Sequence, residues 1–301
     1  MAATDTRHVI QSLIANFVIA LAKGVAALFT GSGAMLAETL HSLADCSNQL
    51  LLLFGIKRSL RPPSETHPLG YGRAIYFWSF LVAVLLFSAG GVFSVYEGVH
   101  KLQHPEGISK AWLGLSILGF SLVVEGLATL SNIRELNRRR GTIAFFRFLR
   151  QTKDSGLVVV FGENFAAVVG LSFALCAFSA AAVTGDGRYD AAGSLAIGLV
   201  LIGVAIFLAV EVKSLLLGER ADPAIEAAVR ELAKAAPEIE EVFSLLTLQQ
   251  GPGEVLLAMK IRLRPDLRAG ELCEAINRFE AGVKSGRPDV RWCFIEPDVR
   301  K

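Results

Sequence analysis

The stretch AETLHSLADCSNQL, residues 37–50, decides how this chain folds. It sets Glu38, His41 and Asp45 between the apolar runs VIALAKGVAALF (18–29) and LLLFGI (51–56). On a helix of 3.6 residues per turn these three side chains stand at i, i+3 and i+7 and project from one face, and Asn48 and Gln49 extend the stripe. An ionisable group near a bilayer centre costs at least about 2.5–3.5 kcal/mol, so three on one face need a shared partner. A divalent cation meets that need, because imidazole nitrogen with carboxylate oxygen suits Zn²⁺, and also Co²⁺, Mn²⁺ or Fe²⁺. The same stripe would also serve as interhelical hydrogen bonds and salt bridges. His and Asp at i, i+4, with Glu one turn earlier and none near a predicted helix end, favour a metal or proton pathway.

Composition agrees with burial in lipid. The 301 residues are 52% hydrophobic and only 19% charged, with mean hydropathy +0.48, against about 25% charged in soluble domains. A net charge of +2 gives no case for nucleic acid as a partner. Cys46, Cys176, Cys273 and Cys293 show no C-x-x-C spacing, so neither a disulfide framework nor a zinc knuckle is implied.

A bilayer core of about 30 Å takes roughly 20 apolar residues per helix. Six segments meet that length: 9–29, 34–56, 74–98, 111–133, 156–183 and 190–212. The first resembles a signal peptide in its flanks, but the apolar run resumes after Lys23 and passes through TGSG into the second, as a helical hairpin does. The links after spans 2 and 4 hold eleven Lys and Arg, including Arg73, Arg138 and Lys153, against three (Lys101, Lys110 and Arg188) in the opposite links. Cytoplasmic loops collect positive charge, so both termini are expected in the cytosol. The expected setting is the plasma (inner) membrane.

Past Val212 the chain turns polar. It reads as helix 222–235, strand 242–250, a Gly-Pro-Gly turn, strand 254–264, helix 269–283 and strand 290–296. The expectation is therefore an α-helical membrane protein. Residues 1–212 form six transmembrane helices, and 213–301 form a small cytosolic α+β (αββαβ) domain. Asp190 opens the last of the six and is expected there as an N-cap. No P-loop, nucleophile elbow or H-E-x-x-H occurs, so neither ATP-driven pumping nor hydrolysis is supported, and the chain does not read as an enzyme.

The runs GSGAMLAETLHSLADCSNQLLLLFGI, HPLGYGRAIYFWSF, DAAGSLAIGLVLI and LLGERADP, followed by the αββαβ tail, resemble the cation diffusion facilitator family along nearly the whole chain. That resemblance implies a homodimer exporting Zn²⁺ or a similar cation in exchange for protons. Its tetrahedral site takes two residues each from spans 2 and 5. His41 and Asp45 match the H-x-x-x-D of span 2, in the form associated with zinc. Span 5 departs from the pattern: aligned on Gly170, Asn164 takes the Asp position and Val160 the His position. Glu163 is the only charged side chain between Asp154 and Asp186, and this Glu-containing span is similar to the zinc-transporter-9-like branch. The loop motif H-P-x-G-H occurs as HPLGYGR, keeping His67 and replacing the second His by Tyr71. The tail has no His, unlike bacterial members that bind zinc there.

The expected metal ligands are thus His41, Asp45, Glu163 and Asn164, with Glu38, Asn16 and His67 along the pathway. Glu125 is a further candidate for the cavity wall. Zn²⁺ is transported substrate rather than cofactor, and the partners are the metal ion, protons, the lipid bilayer and a second copy of the chain. A transport-impaired member acting as a membrane-anchored interaction or scaffold protein is the competing expectation.

Overall fold

The computed structural model describes residues 2–30, 33–104 and 111–299, without the side chains of residues 2–8, 26–27, 29–30, 33–41 and 44. Helices α1 (Ala2–Thr30) and α2 (Gly33–Ser59) pack as an antiparallel pair. The next long helix is broken into α3 (Ala74–Leu85), a π-helical stretch (Leu86–Val92) and α4 (Phe93–Gln103). Then come α5 (Ala111–Arg140), the short α6 (Phe145–Gln151), α7 (Ser155–Thr184) and α8 (Arg188–Leu217). The sequence places α6 inside a link, where its basic residues mask a single apolar turn ending on the buried Leu149.

Among the described residues, four helices are long and apolar enough to cross a membrane: Ala74–Gln103, α5, α7 and α8. The sequence predicts six. In α1 the described apolar run is Val9–Val25, and in α2 the side chains of residues 33–41 and 44 fall outside the described residues. The bundle buries polar groups beside an apolar cluster that includes Leu52, Tyr76, Leu136 and Leu208. Leu127, Leu199 and Val210 are at least 60% exposed, while Asn16, Lys23, Gln49, Glu125 and Asn164 are at most 5% exposed. Lipid gives apolar side chains no reason to turn inward, so the polar groups, which need partners, take the interior.

Close helix approach positions the walls of this interior. The stretch Leu86–Gln103 lies along α8, and a Cβ added at Gly198 would stand 2.7 Å from Val95 Cγ2 and 2.8 Å from its backbone nitrogen. Backbone cannot yield as a flexible side chain does. Gly198→Ala is therefore expected to destabilise the bundle by about 1–3 kcal/mol, read as a lower thermal unfolding midpoint in detergent. An unchanged midpoint would show that the two helices have room to part.

Asp190 does not take the capping position predicted for it. Helix α8 starts at Arg188 with Gly187 in the cap position, and Asp190 accepts from Lys101 Nζ at 3.3 Å.

Beyond α8, helix α9 (Pro223–Ala235), strands β1 (Ile239–Gly251) and β2 (Glu254–Leu263), helix α10 (Ala269–Gly286) and strand β3 (Val290–Pro297) come in the expected αββαβ order. Asp222 caps α9, accepting the Ala224 N–H at 2.8 Å with Pro223 in the first turn. The sheet order is β1-β2-β3, with β1 antiparallel and β3 parallel to β2. Along β2 alternate residues Val255, Leu257, Met259 and Ile261 are buried and cluster with Ile225 and Val229 of α9 and Phe279 and Val283 of α10. β1 alternates imperfectly because its register slips between Ile239 and Glu241, Val242 and Ser244, and Gln249 and Gly251.

This small domain is keyed to the bundle through backbone. A Cβ on Gly72 would stand 2.6 Å from the Gln250 carbonyl oxygen, and one on Gly251 would stand 2.8 Å from Gly72 Cα. Lys153, just before α7, pairs with Glu219 at 2.5 Å, and the Tyr76 hydroxyl donates to the Lys153 carbonyl at 3.3 Å.

Candidate metal centre

A cavity of about 230 Å³ lies between the helices. Asn16 of α1, Asp45, Asn48 and Gln49 of α2, Glu125 of α5, and Glu163 and Asn164 of α7 line it. The apolar side is closed by Leu85, Leu86, Ala89 and Gly90 of the broken helix and Leu201 of α8. Side chains from distant parts of the chain thus meet around one space inside apolar surroundings.

A hydrogen-bond network fixes the polar wall. Asn16 Nδ2 donates to Gln49 Oε1 at 2.9 Å, and Gln49 Nε2 donates to Ser12 Oγ at 3.0 Å and to Glu163 Oε2 at 3.4 Å. Ser12 Oγ in turn donates to Asn164 Oδ1 at 3.0 Å. Thr129 ties α5 to α7 by donating to the Asn164 carbonyl at 3.3 Å. Glu163 Oε1 is buried with no hydrogen-bond partner. In an apolar bundle such an oxygen is expensive unless something else satisfies it. The side-chain oxygen of Asn164, by contrast, is already engaged.

Of the expected site residues, Asp45, Glu163, Asn164 and Asn16 line the cavity. His41 and Glu38 lie on α2, and their side chains fall outside the described residues. His67 is in the exposed loop before α3, stacked on Tyr71 with centroids 4.3 Å apart and 3.0 Å from Thr66 Oγ1, and is not among the lining residues. The Ser64 and Thr66 hydroxyls bonded to Tyr71 hold its phenol below the usual range. Lys23 is buried and donates to Ser42 Oγ at 3.0 Å. Among the described residues, no three His, Cys, Asp or Glu side chains stand together as a ready metal cluster. The carboxylates are spread around the wall instead.

Ser12 escapes the sequence reading, and Gln49 is read only as an extension of the stripe, although it is the hub of the network. The signal was present. Ser12 and Asn16 stand at i, i+4 on α1, and Ser121, Glu125, Thr129 and Asn132 make a buried polar row on α5 at steps of four, four and three.

In the small domain Cys293 makes a poor zinc ligand. Burial, reinforced by Glu280, pushes the Cys293 thiol up to about 11, whereas metal needs the thiolate. Alkylation of Cys293 should therefore be slow at pH 8 and should climb toward pH 11, tracked by peptide mass spectrometry. Labelling at pH 8 as fast as that of the exposed Cys273 would overturn this.

Four long apolar helices and a buried polar cavity define a multi-pass membrane protein. The model of the cation efflux transmembrane domain matches residues 9–217, and the chain belongs to that family, as its resemblance to the cation diffusion facilitators implies. It is 34% identical over 250 residues to the proton-coupled zinc antiporter SLC30A9, mitochondrial, of Xenopus laevis, covering 82% of this chain and 44% of that protein. It is 29% identical over 249 residues to metal tolerance protein C4 of Arabidopsis thaliana, covering 82% and 54%. With magnetosome protein MamB of Paramagnetospirillum magneticum it shares 26% identity over 294 residues, 94% of this chain and 91% of that one. The chain spans about half the length of the first two.

Proposed function

We propose that this protein is a secondary transporter that moves a divalent metal cation, Zn²⁺ foremost, out of the cytosol in exchange for protons. The observation that carries this reading is the cavity between apolar helices whose wall includes Asp45, Glu125 and Glu163. Such intramembrane carboxylates are costly to keep and mark ion or proton pathways. Family membership and the proton-coupled zinc antiport in the names of relatives support it.

In this reading α1 and α2 also cross the bilayer, so residues 1–212 form six spans and 213–301 a cytosolic domain. The chain works as a homodimer with both termini in the cytosol of the plasma (inner) membrane. The charge asymmetry of the links supports that orientation. Zn²⁺ binds His41, Asp45 and Glu163, with Asn164 or water completing four ligands. Binding displaces protons, because the ligands coordinate as neutral imidazole and carboxylate. Opening to the far side releases the ion, and protons taken up by His41 and the cavity carboxylates reset the site. Rocking of one helix group against another gives alternating access to such a buried site.

Proteoliposomes loaded with a pH dye and offered a panel of divalent ions test the proposal. Zn²⁺ movement with opposite proton flow is the expected result. Transport without proton flow indicates a channel, and no transport of any ion indicates an interaction or scaffold protein.

A further inference from the structure

The end of α4 carries a pair of exposed histidines, well away from the cavity. Glu97, His100 and His104 repeat the i, i+3, i+7 spacing of Glu38, His41 and Asp45. His104 caps the helix with non-helical backbone (φ −130°, ψ 77°), and its N–H donates to the His100 carbonyl at 3.0 Å. Both imidazoles are solvent-exposed, and their rings stack with centroids 5.0 Å apart at 30°.

We infer that His100 and His104 form a bidentate surface site for a borderline divalent cation such as Zn²⁺ or Ni²⁺, with Glu97 as a third donor. Two His four residues apart are a spacing used for chelation, and although His104 has left the helix, the two rings stand close enough for each to turn one nitrogen toward a common ion at about 2.0–2.1 Å. The position favours a cation, since the carbonyl end of a helix carries partial negative charge. Glu97 is at present 3.1 Å from Lys101, which Asp190 also holds at 3.3 Å. Lys101 keeps one carboxylate when Glu97 swings to the metal. The histidine pair therefore binds first, and Glu97 adds to a site already formed. The run Ala74–Gln103 is 30 residues long, or about 45 Å at 1.5 Å per residue. The site thus sits at the end of this helix remote from the Gly72–Gly251 junction.

Equilibrium binding tests the inference independently of transport. The full chain carrying Asp45→Ala and Glu163→Gln, to silence the cavity, is placed in lipid nanodiscs and titrated with Zn²⁺ against a chromophoric zinc indicator. One site per chain should remain. Adding His100→Gln and His104→Gln should weaken it by at least about tenfold, and His104→Gln alone should do most of that, with the unfolding midpoint unchanged. Undiminished Zn²⁺ binding in the double-Gln protein, or no site in the silenced parent, would overturn the assignment.

Discussion

Vesicles carrying Asp45→Ala protein should take up Zn²⁺ no faster than vesicles without protein. Asp45 of α2 lines the cavity together with Glu125 of α5 and Glu163 of α7. Removing a group that merely orients a metal ligand costs about 10–100-fold, so loss of a direct ligand should cost more than about 100-fold. The fold should survive the change. Three carboxylates around one cavity repel each other when ionised, and deleting one relieves that repulsion while leaving the Ser12–Gln49–Asn164 network intact. A folded, inserted but silent protein is thus the expected outcome, and His41→Ala should match it. His41→Asp should instead shift preference toward harder cations such as Mn²⁺, because oxygen replaces nitrogen. Transport retained by Asp45→Ala would sink the site assignment.

Glu163→Gln should be nearly as damaging, and Asn164→Ala much less so. A Zn²⁺ held by neutral His41 and one carboxylate would keep a net positive charge in a low-dielectric bundle, which is strongly disfavoured. Glu163 as a further ligand would bring such a shell to neutrality, whereas an amide brings no charge. The local geometry adds a second reason: Glu163 Oε1 is buried with no hydrogen-bond partner, while Asn164 Oδ1 already accepts from Ser12. Adjacent residues point about 100° apart on a helix, yet both line the cavity, because it wraps around this turn of α7. Glu163→Gln should lose about 100-fold in rate and Asn164→Ala about tenfold or less, by the same ligand arithmetic. Wild-type transport by Glu163→Gln with a dead Asn164→Ala would hand the role to Asn164 and leave Glu163 a structural or proton-relay part.

Much of this arrangement is legible in the sequence because two of its signals are local. Apolar length marks α5, α7 and α8, and the Gly-Pro-Gly turn sets the β1–β2 hairpin with strand boundaries a few residues off. On α2 the described part of the stripe, Asp45, Asn48 and Gln49, lines the cavity because these side chains share one helix face. What stays hidden depends on contacts between distant segments. Ser12 and Asn164 are separated by 152 positions, and no periodicity within either helix says that they touch. Nor does hydropathy reveal that the strands of the small domain meet the bundle through two glycines, since a missing side chain leaves no hydrophobic mark.

The π-helical stretch Leu86–Val92 changes how the third long helix must be mapped. Wider turns admit an extra residue without breaking the helix, and each residue added rotates the remainder of the helix by about 100°. Labels placed one by one along Ala74–Gln103 will therefore trace two separate sine waves, offset in phase across Leu86–Val92, rather than one. A lipid-facing position extrapolated from Phe77 toward Tyr96 by counting turns lands on the wrong side. The cavity wall at Leu86, Ala89 and Gly90 lies at the node between the two waves, where a small rewinding of the helix would rotate one half against the other without moving either along its axis.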